Sequence, residues 1–253
     1  STIMLRLIGR NLWFLLPLLW SLFPLYNMFK FLHVPILPLV QEGDGMKLRA
    51  LFSHPGFYLS MILMICAGAS ELSMSQWSSL FAEQGLQVPK LVGDLLGPGL
   101  FALFMAIGRT IYGYYGDRLP IKYCLIGSSI LCILTYITTV LSPHPILSLL
   151  ACSLTGLSVS LMWPGTFSLS SAAFPRGGTL MFGILAICGD IGCSIGPWIA
   201  GILSNYIQQT GQSLSLWMNQ GLDLEQQGIR TGLLSCTIFP ILMLFGLLSF
   251  RRK

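Results

Sequence analysis

The chain has 253 residues, 54% hydrophobic and only 9% charged, with net charge +5 and mean hydropathy +0.74. Soluble domains carry roughly 25% charged residues, so the charge here is too sparse to solvate a globular surface, which excludes a water-soluble domain as the default class. No basic patch interleaved with aromatics is present, so nucleic acid is not an expected partner; the expected partner is the lipid bilayer, and the expected fold is all-α, a polytopic helical membrane protein.

A helix needs about 20 apolar residues to cross the hydrocarbon core. Runs at 11–31, 56–80, 92–115, 122–141, 146–171, 179–206 and 231–250 meet that need and predict about seven transmembrane helices. The first is preceded by Arg6 and Arg10 and resembles the basic start and apolar core of a signal peptide. No small-residue cleavage site follows, so the chain is read as a fragment or processed chain rather than a secreted precursor. Breakers separate the runs: PILP and EGDG, then VPK, GDRLP, SPHP and FPRGG, then a polar stretch near 208–229. Prolines inside the spans, such as Pro98, Pro164 and Pro197, are tolerated where neighbouring helices satisfy the freed backbone. The seven cysteines lie in apolar runs without CxxC spacing and read as small buried residues, not disulfides or metal ligands. His33, His54 and His144 fall beside prolines outside the spans without an HExxH-type partner, so neither metal nor cofactor is expected.

Positive charge sets the expected orientation. Lys47 and Arg49, Arg118 and Lys122, Arg176, and the terminal Arg251-Arg252-Lys253 fall in alternate connections, hence on one side; the other side carries only Lys90 and Arg230. The positive-inside rule assigns the first set, and the C-terminus, to the cytoplasm. Arg6 and Arg10 oppose this and are outvoted by four connections.

Residues 108–122 read GRTIYGYYGDRLPIK, between the third and fourth expected spans. Gly113, Asp117 and Arg118, with Lys122 following, resemble the signature loop of the major facilitator superfamily, which joins the second and third helices of each six-helix half. A glycine there permits close backbone approach, and an aspartate can lie against a helix N-terminus or pair with a base. Arg109, two turns before Asp117, is grouped with this cytoplasmic gate; it either snorkels to the interface or pairs with an acid in the translocation path. The resemblance implies that residues 1–40 hold the sixth helix of the family order, 41–54 the central cytoplasmic loop, and 55–253 the C-terminal six-helix half. Helices one to five would then be absent, and the missing N-terminal half would be a partner. ASELSMSQWSSLFAE, SLMWPGTFSLSSAAFP and GDIGCSIGPWIAG resemble helices seven, ten and eleven of the fucose-permease-like sugar branch.

Two acids stand inside spans. Glu71 lies about 22 Å along its helix at 1.5 Å per residue, where an unpaired carboxylate costs several kcal/mol. Ser70, Ser73, Ser75, Gln76, Trp77, Ser78 and Ser79 surround it, a polarity that predicts a wet cavity rather than lipid. Glu71, Ser75, Gln76 and Trp77, with Trp163 from the WPG distortion, are the expected substrate-binding set, since carboxylates and carboxamides bind sugar hydroxyls and indole covers a sugar ring. Asp190, near the midplane of its span, joins Glu71 as an expected proton-coupling residue, because desolvation brings such acids toward physiological pH. The alternatives are helix-to-helix ties for both acids and core packing for Trp163. Gly189, Gly192, Gly196 and Gly201 are read as packing residues, and Asp94 as a helix-start residue.

Together these features predict half of a proton-coupled symporter for a small polar solute, of the sugar type, in the cell membrane. A multidrug-type efflux antiporter half is the nearest alternative, since GPxxxG at 196–201 also resembles drug exporters, and an inactive truncated fragment is another. A seven-span receptor lacks its large ligand-binding loop, and a membrane enzyme lacks a nucleophile–base set or metal cluster at one depth.

Overall fold

The computed structural model describes residue 4 and residues 9–35, 45–212 and 221–250, the side chains of Arg10 and Asp117 apart. Arg6, the EGDG stretch up to Asp44 and the terminal Arg251-Arg252-Lys253 lie outside them. The chain divides into two units, Ser1–Gly43 and Asp44–Lys253.

In the first unit, Gly9 at φ 89° turns the chain into a short 3-10 turn, Arg10–Leu12, so the helix α1 begins at Leu15, later than expected, and runs Leu15–Phe31. Its 17 residues extend about 26 Å, a little short of the ~30 Å hydrocarbon core. Lys30 lies over the Tyr26 ring one turn back, 5.6 Å from its centroid.

The second unit opens with a one-turn helix, α2 (Leu48–Phe52), followed by six helices long and apolar enough to cross a membrane. These are α3 (Pro55–Gly85), α4 (Lys90–Tyr115), α5 (Ile121–Leu141), α6 (Pro145–Ala173), α7 (Gly178–Thr210) and α8 (Leu224–Ser249). Among the described residues there is no strand. Proline marks several of the irregularities: a π-turn at Leu95–Gly99 contains Pro98, and α6 breaks at Ser160–Leu161, where Pro164 has no N–H to return to Ser160; the π-turn Phe81–Gly85 that ends α3 contains none. α8 breaks likewise at Cys236–Thr237, where Pro240 has no N–H to return to Cys236. At the far end of α7, Gly211 takes φ 66°, the left-handed cap that glycine adopts without strain.

α3 and α7 form the most extensive contact; α6 packs on α4 and α5, and α8 on α3, α5 and α7. In a membrane the hydrophobic effect does not drive helices together, so close packing must. The sequence supplies it with small residues: a Cβ on Gly192 would stand 2.9 Å from the Ile65 Cα, and one on Gly196 would stand 2.8 Å from the Ala69 carbonyl oxygen. The predicted packing role of these glycines is the one observed. Gly192→Ala is therefore expected to lower stability by about 1–3 kcal/mol, while Gly183→Ala, where the space is open, stays near neutral; thermal unfolding in detergent compares them.

The last span departs from expectation. The polar stretch through Arg230 was expected as a connection, but α8 starts at Leu224, behind an Asp223–Gln226 capping box. Arg230 lies inside this helix, 4% exposed, and donates to the carbonyl oxygens of Val140 (2.5 Å) and Ser142 (3.3 Å). A base satisfied this way needs no loop, so it drops out of the charge count for its side. Asp94, expected at a helix start, is instead in the second turn of α4, where it accepts a hydrogen bond from Ser79.

Candidate functional site

Glu71 is the seventeenth residue of α3, about 24 Å from Pro55. Its carboxylate meets Arg109 of α4, one guanidinium nitrogen lying 3.2 Å from each oxygen. Arg109 stands only six residues before the end of α4, but helical Cα–Cβ bonds tilt toward the helix N-terminus, so its stem climbs toward mid-span. The Glu71 side chain is 17% exposed and that of Arg109 46%, so the pair is open on one flank.

The neighbouring helices are held close enough to shape this flank. Gly108, beside Arg109, abuts the Ser160 break in α6, where an added Cβ would come within 2.7 Å of the Ser160 Cβ. One turn on, the Tyr112 hydroxyl shares a hydrogen bond with Ser168, 2.7 Å apart, and both atoms are exposed. On the other side, the Cys193 thiol of α7 donates to the Gly68 carbonyl at 3.6 Å. Asp190 stands three residues before Cys193 on the same helix, one turn away. Asp190 is exposed and forms no ion pair among the described residues. Trp163 lies across Gly189, whose missing side chain leaves room for the ring, and its centroid is 6.3 Å from that of Phe167. Its indole N–H is buried and has no hydrogen-bond partner among the described residues.

The expected substrate set does not assemble in one place. Glu71 gathers Arg109 beside it, and Asp190 stands on α7 one turn from Cys193, whose thiol bonds the Gly68 carbonyl. Ser75 is half-buried and Gln76 exposed on the same helix. Trp77 points elsewhere: six residues from Glu71, it lines a separate cleft of about 270 Å³ with Gln84, Ser204, Asn205, Gln208 and Glu225, where α3, α7 and α8 meet. The serine-rich face also differs from the wet surface expected. Ser70, Ser73 and Ser78 are wholly buried; Ser73 and Ser78 bond carbonyls of their own helix, Ala69 at 2.7 Å and Ser75 at 3.0 Å. A hydroxyl that satisfies itself on the preceding turn needs no water.

The GDR loop lies where expected, a 3-10 turn, Gly116–Arg118, between α4 and α5. Among the described residues the space beside Gly113 is open, with nothing within 4 Å of an added Cβ, and Arg118 is exposed. The side chain of Asp117 lies outside the described residues. Arg109 belongs by contact to Glu71 rather than to this turn. The sequence reading missed Arg230, and it missed Tyr112 and Ser168; the one available signal was that Tyr112 falls at i+3 from Arg109, on the same helix face.

Comparison with curated proteins and with solved structures finds no match. The sequence profile of the Major Facilitator Superfamily matches residues 7–197. The matched stretch includes Glu71, Arg109, the GDR turn, Trp163 and Asp190, and runs from ahead of α1 into α7. Members of this family are transporters, not enzymes. With six apolar helices and a family profile over most of its length, the chain is a multi-pass membrane protein that belongs to the Major Facilitator Superfamily of membrane transporters.

Proposed function

We propose that the chain forms one wall of a secondary active transporter that carries a small polar solute, of the sugar type, in symport with protons. The observation that carries this reading is the Glu71–Arg109 pair at mid-span with an open flank. An exposed arginine at that depth costs about 2.5–3.5 kcal/mol against lipid, so water or solute on that flank is the favourable neighbour. A carboxylate–guanidinium pair offers both acceptors and donors to solute hydroxyls, and a proton on Glu71 would release Arg109. Asp190 is the second acid within reach of such a path.

In this reading a second six-helix half closes the opposite side of the cavity. Gly113, Asp117 and Arg118 form the cytoplasmic latch that makes and breaks as the halves rock. The protein lies in the cell membrane with its C-terminus cytoplasmic, a reading supported by the bases at 47–49, 118–122 and 176. The open space beside Gly113 suits a backbone from that other half.

Glu71→Gln and Asp190→Asn, in the transporter expressed in cells, are each expected to abolish uptake or uncouple it from proton movement. Wild-type uptake and proton flux in both variants would sink the coupling assignment. Counterflow should occur with sugars and not with hydrophobic cations; the reverse pattern would assign the site to drug export.

A further inference from the structure

At the end of the bundle that carries Lys47, Arg49, Lys122 and Arg176, helices α3, α6 and α8 surround a cavity of about 720 Å³. Its wall is apolar, built chiefly from Met46, Leu59, Ala173, Phe174 and Phe250, and its polar side chains include His54 and Arg176, both exposed. None of its lining residues is acidic. Arg176 forms no ion pair among the described residues.

The walls are tied. The Met46 N–H donates to the Arg176 carbonyl at 2.8 Å, pinning the α6–α7 turn to the chain entering α2. The Lys122 ammonium donates to the Phe250 carbonyl at 2.6 Å, fixing the end of α8 to α5. The rings of His54 and Phe174 stand 5.9 Å apart.

Position and chemistry together select the occupant. The cavity lies where α3 begins and where α6 and α8 end, at the boundary between hydrocarbon and water. Its volume falls in the range of about 300–1,000 Å³ that encloses a drug-sized ligand, so a free phosphate ion would leave most of the apolar wall facing water. A guanidinium such as that of Arg176, which has no ion pair among the described residues, matches a phosphodiester with two parallel hydrogen bonds, and anionic leaflets concentrate their lipids against bases placed at this level. An anionic head with a hydrocarbon tail satisfies both parts of the cavity; a soluble anion or a neutral lipid satisfies one. We propose that this cavity binds an anionic phospholipid, its phosphate held by Arg176 and His54 and the first carbons of an acyl chain lying against Leu59, Ala173 and Phe250. This assignment rests on the membrane location and on the cytoplasmic orientation proposed above, not on the solute or coupling read into the Glu71 site.

Native mass spectrometry of the detergent-solubilised full chain tests it, with phosphatidylglycerol, phosphatidylcholine of the same acyl chains, and inorganic phosphate added in separate arms. The expected result is a retained phosphatidylglycerol adduct, weakened at least about tenfold by Arg176→Ala with His54→Ala and less by Arg176→Lys, which holds the charge without the fork. Ala173→Trp, which fills the apolar part and leaves the cation in place, should weaken the adduct as much. Equal retention of the two lipids would overturn the proposal, as would retention unchanged in either variant. Displacement by millimolar inorganic phosphate would make the site a free anion's. Absence of any adduct on the folded chain would give the cavity to other residues of the protein.

Discussion

Reversing the mid-span pair, Glu71→Arg together with Arg109→Glu, is expected to recover most of the folded yield that either single reversal loses, without recovering transport. Each single change sets two like charges about 3.2 Å apart, where opposite charges now meet. In the low dielectric of a span that repulsion is scarcely screened. The double change restores attraction, and a double-mutant cycle on thermal unfolding reads the coupling directly. Contacting charged pairs couple by about 0.5–3 kcal/mol, and because the Arg109 side chain is 46% exposed the lower half of that range is expected. Transport should not return, because a solute or proton that engages a carboxylate on α3 finds a guanidinium there instead. Additive single effects would show that the two side chains do not act as a pair.

The second large effect is at Arg230. α5 ends at Leu141, leaving the carbonyls of Val140 and Ser142 beyond the reach of its own N–H groups. Arg230 of α8 donates to both and stands 5.8 Å from the centroid of the Phe81 ring. A cation at a helix C-terminus also meets the negative end of the helix dipole. Arg230→Met keeps much of the volume and removes both hydrogen bonds, each worth about 1.5–3 kcal/mol for a charged donor. Relief from burying a charge returns part of that, leaving an expected loss of about 2–4 kcal/mol. Arg230→Lys, with charge but no fork, should fall between. A methionine variant that melts with the parent would show that the two carbonyls are satisfied without this side chain.

The contrast between these residues shows what the sequence could carry. The spans were legible because a bilayer demands about 20 apolar residues in a row, and the six full-length helices stand within a few residues of the runs, α8 apart. Glu71 was legible as an anomaly, because a carboxylate in hydrocarbon needs a reason. Its partner was not: Arg109 lies 38 residues away on another helix, and hydropathy carries no information on how two helices are rotated against each other. Arg230 was misassigned for a related reason. Its charge, with the glycines and glutamines near it, reads as a loop, and only the ends of a different helix explain its burial. The serines around Glu71 misled in the opposite direction. Ser73 sits where Gly196 approaches α3, so its value there is small size, and its hydroxyl is spent on its own backbone.

Helix α7 has a consequence for where this protein meets water. Its 33 residues extend about 50 Å, against a hydrocarbon core of about 30 Å. Even a tilt of 40°, near the upper limit seen for membrane helices, hides only about 39 Å of it. At least about 10 Å, some seven residues, must therefore stand clear of the hydrocarbon. The polar end of the helix, Ser204 to Thr210, is the part suited to emerge, and it carries one side of the cleft that Trp77 lines. With that end emerging, the cleft opens toward water rather than into hydrocarbon.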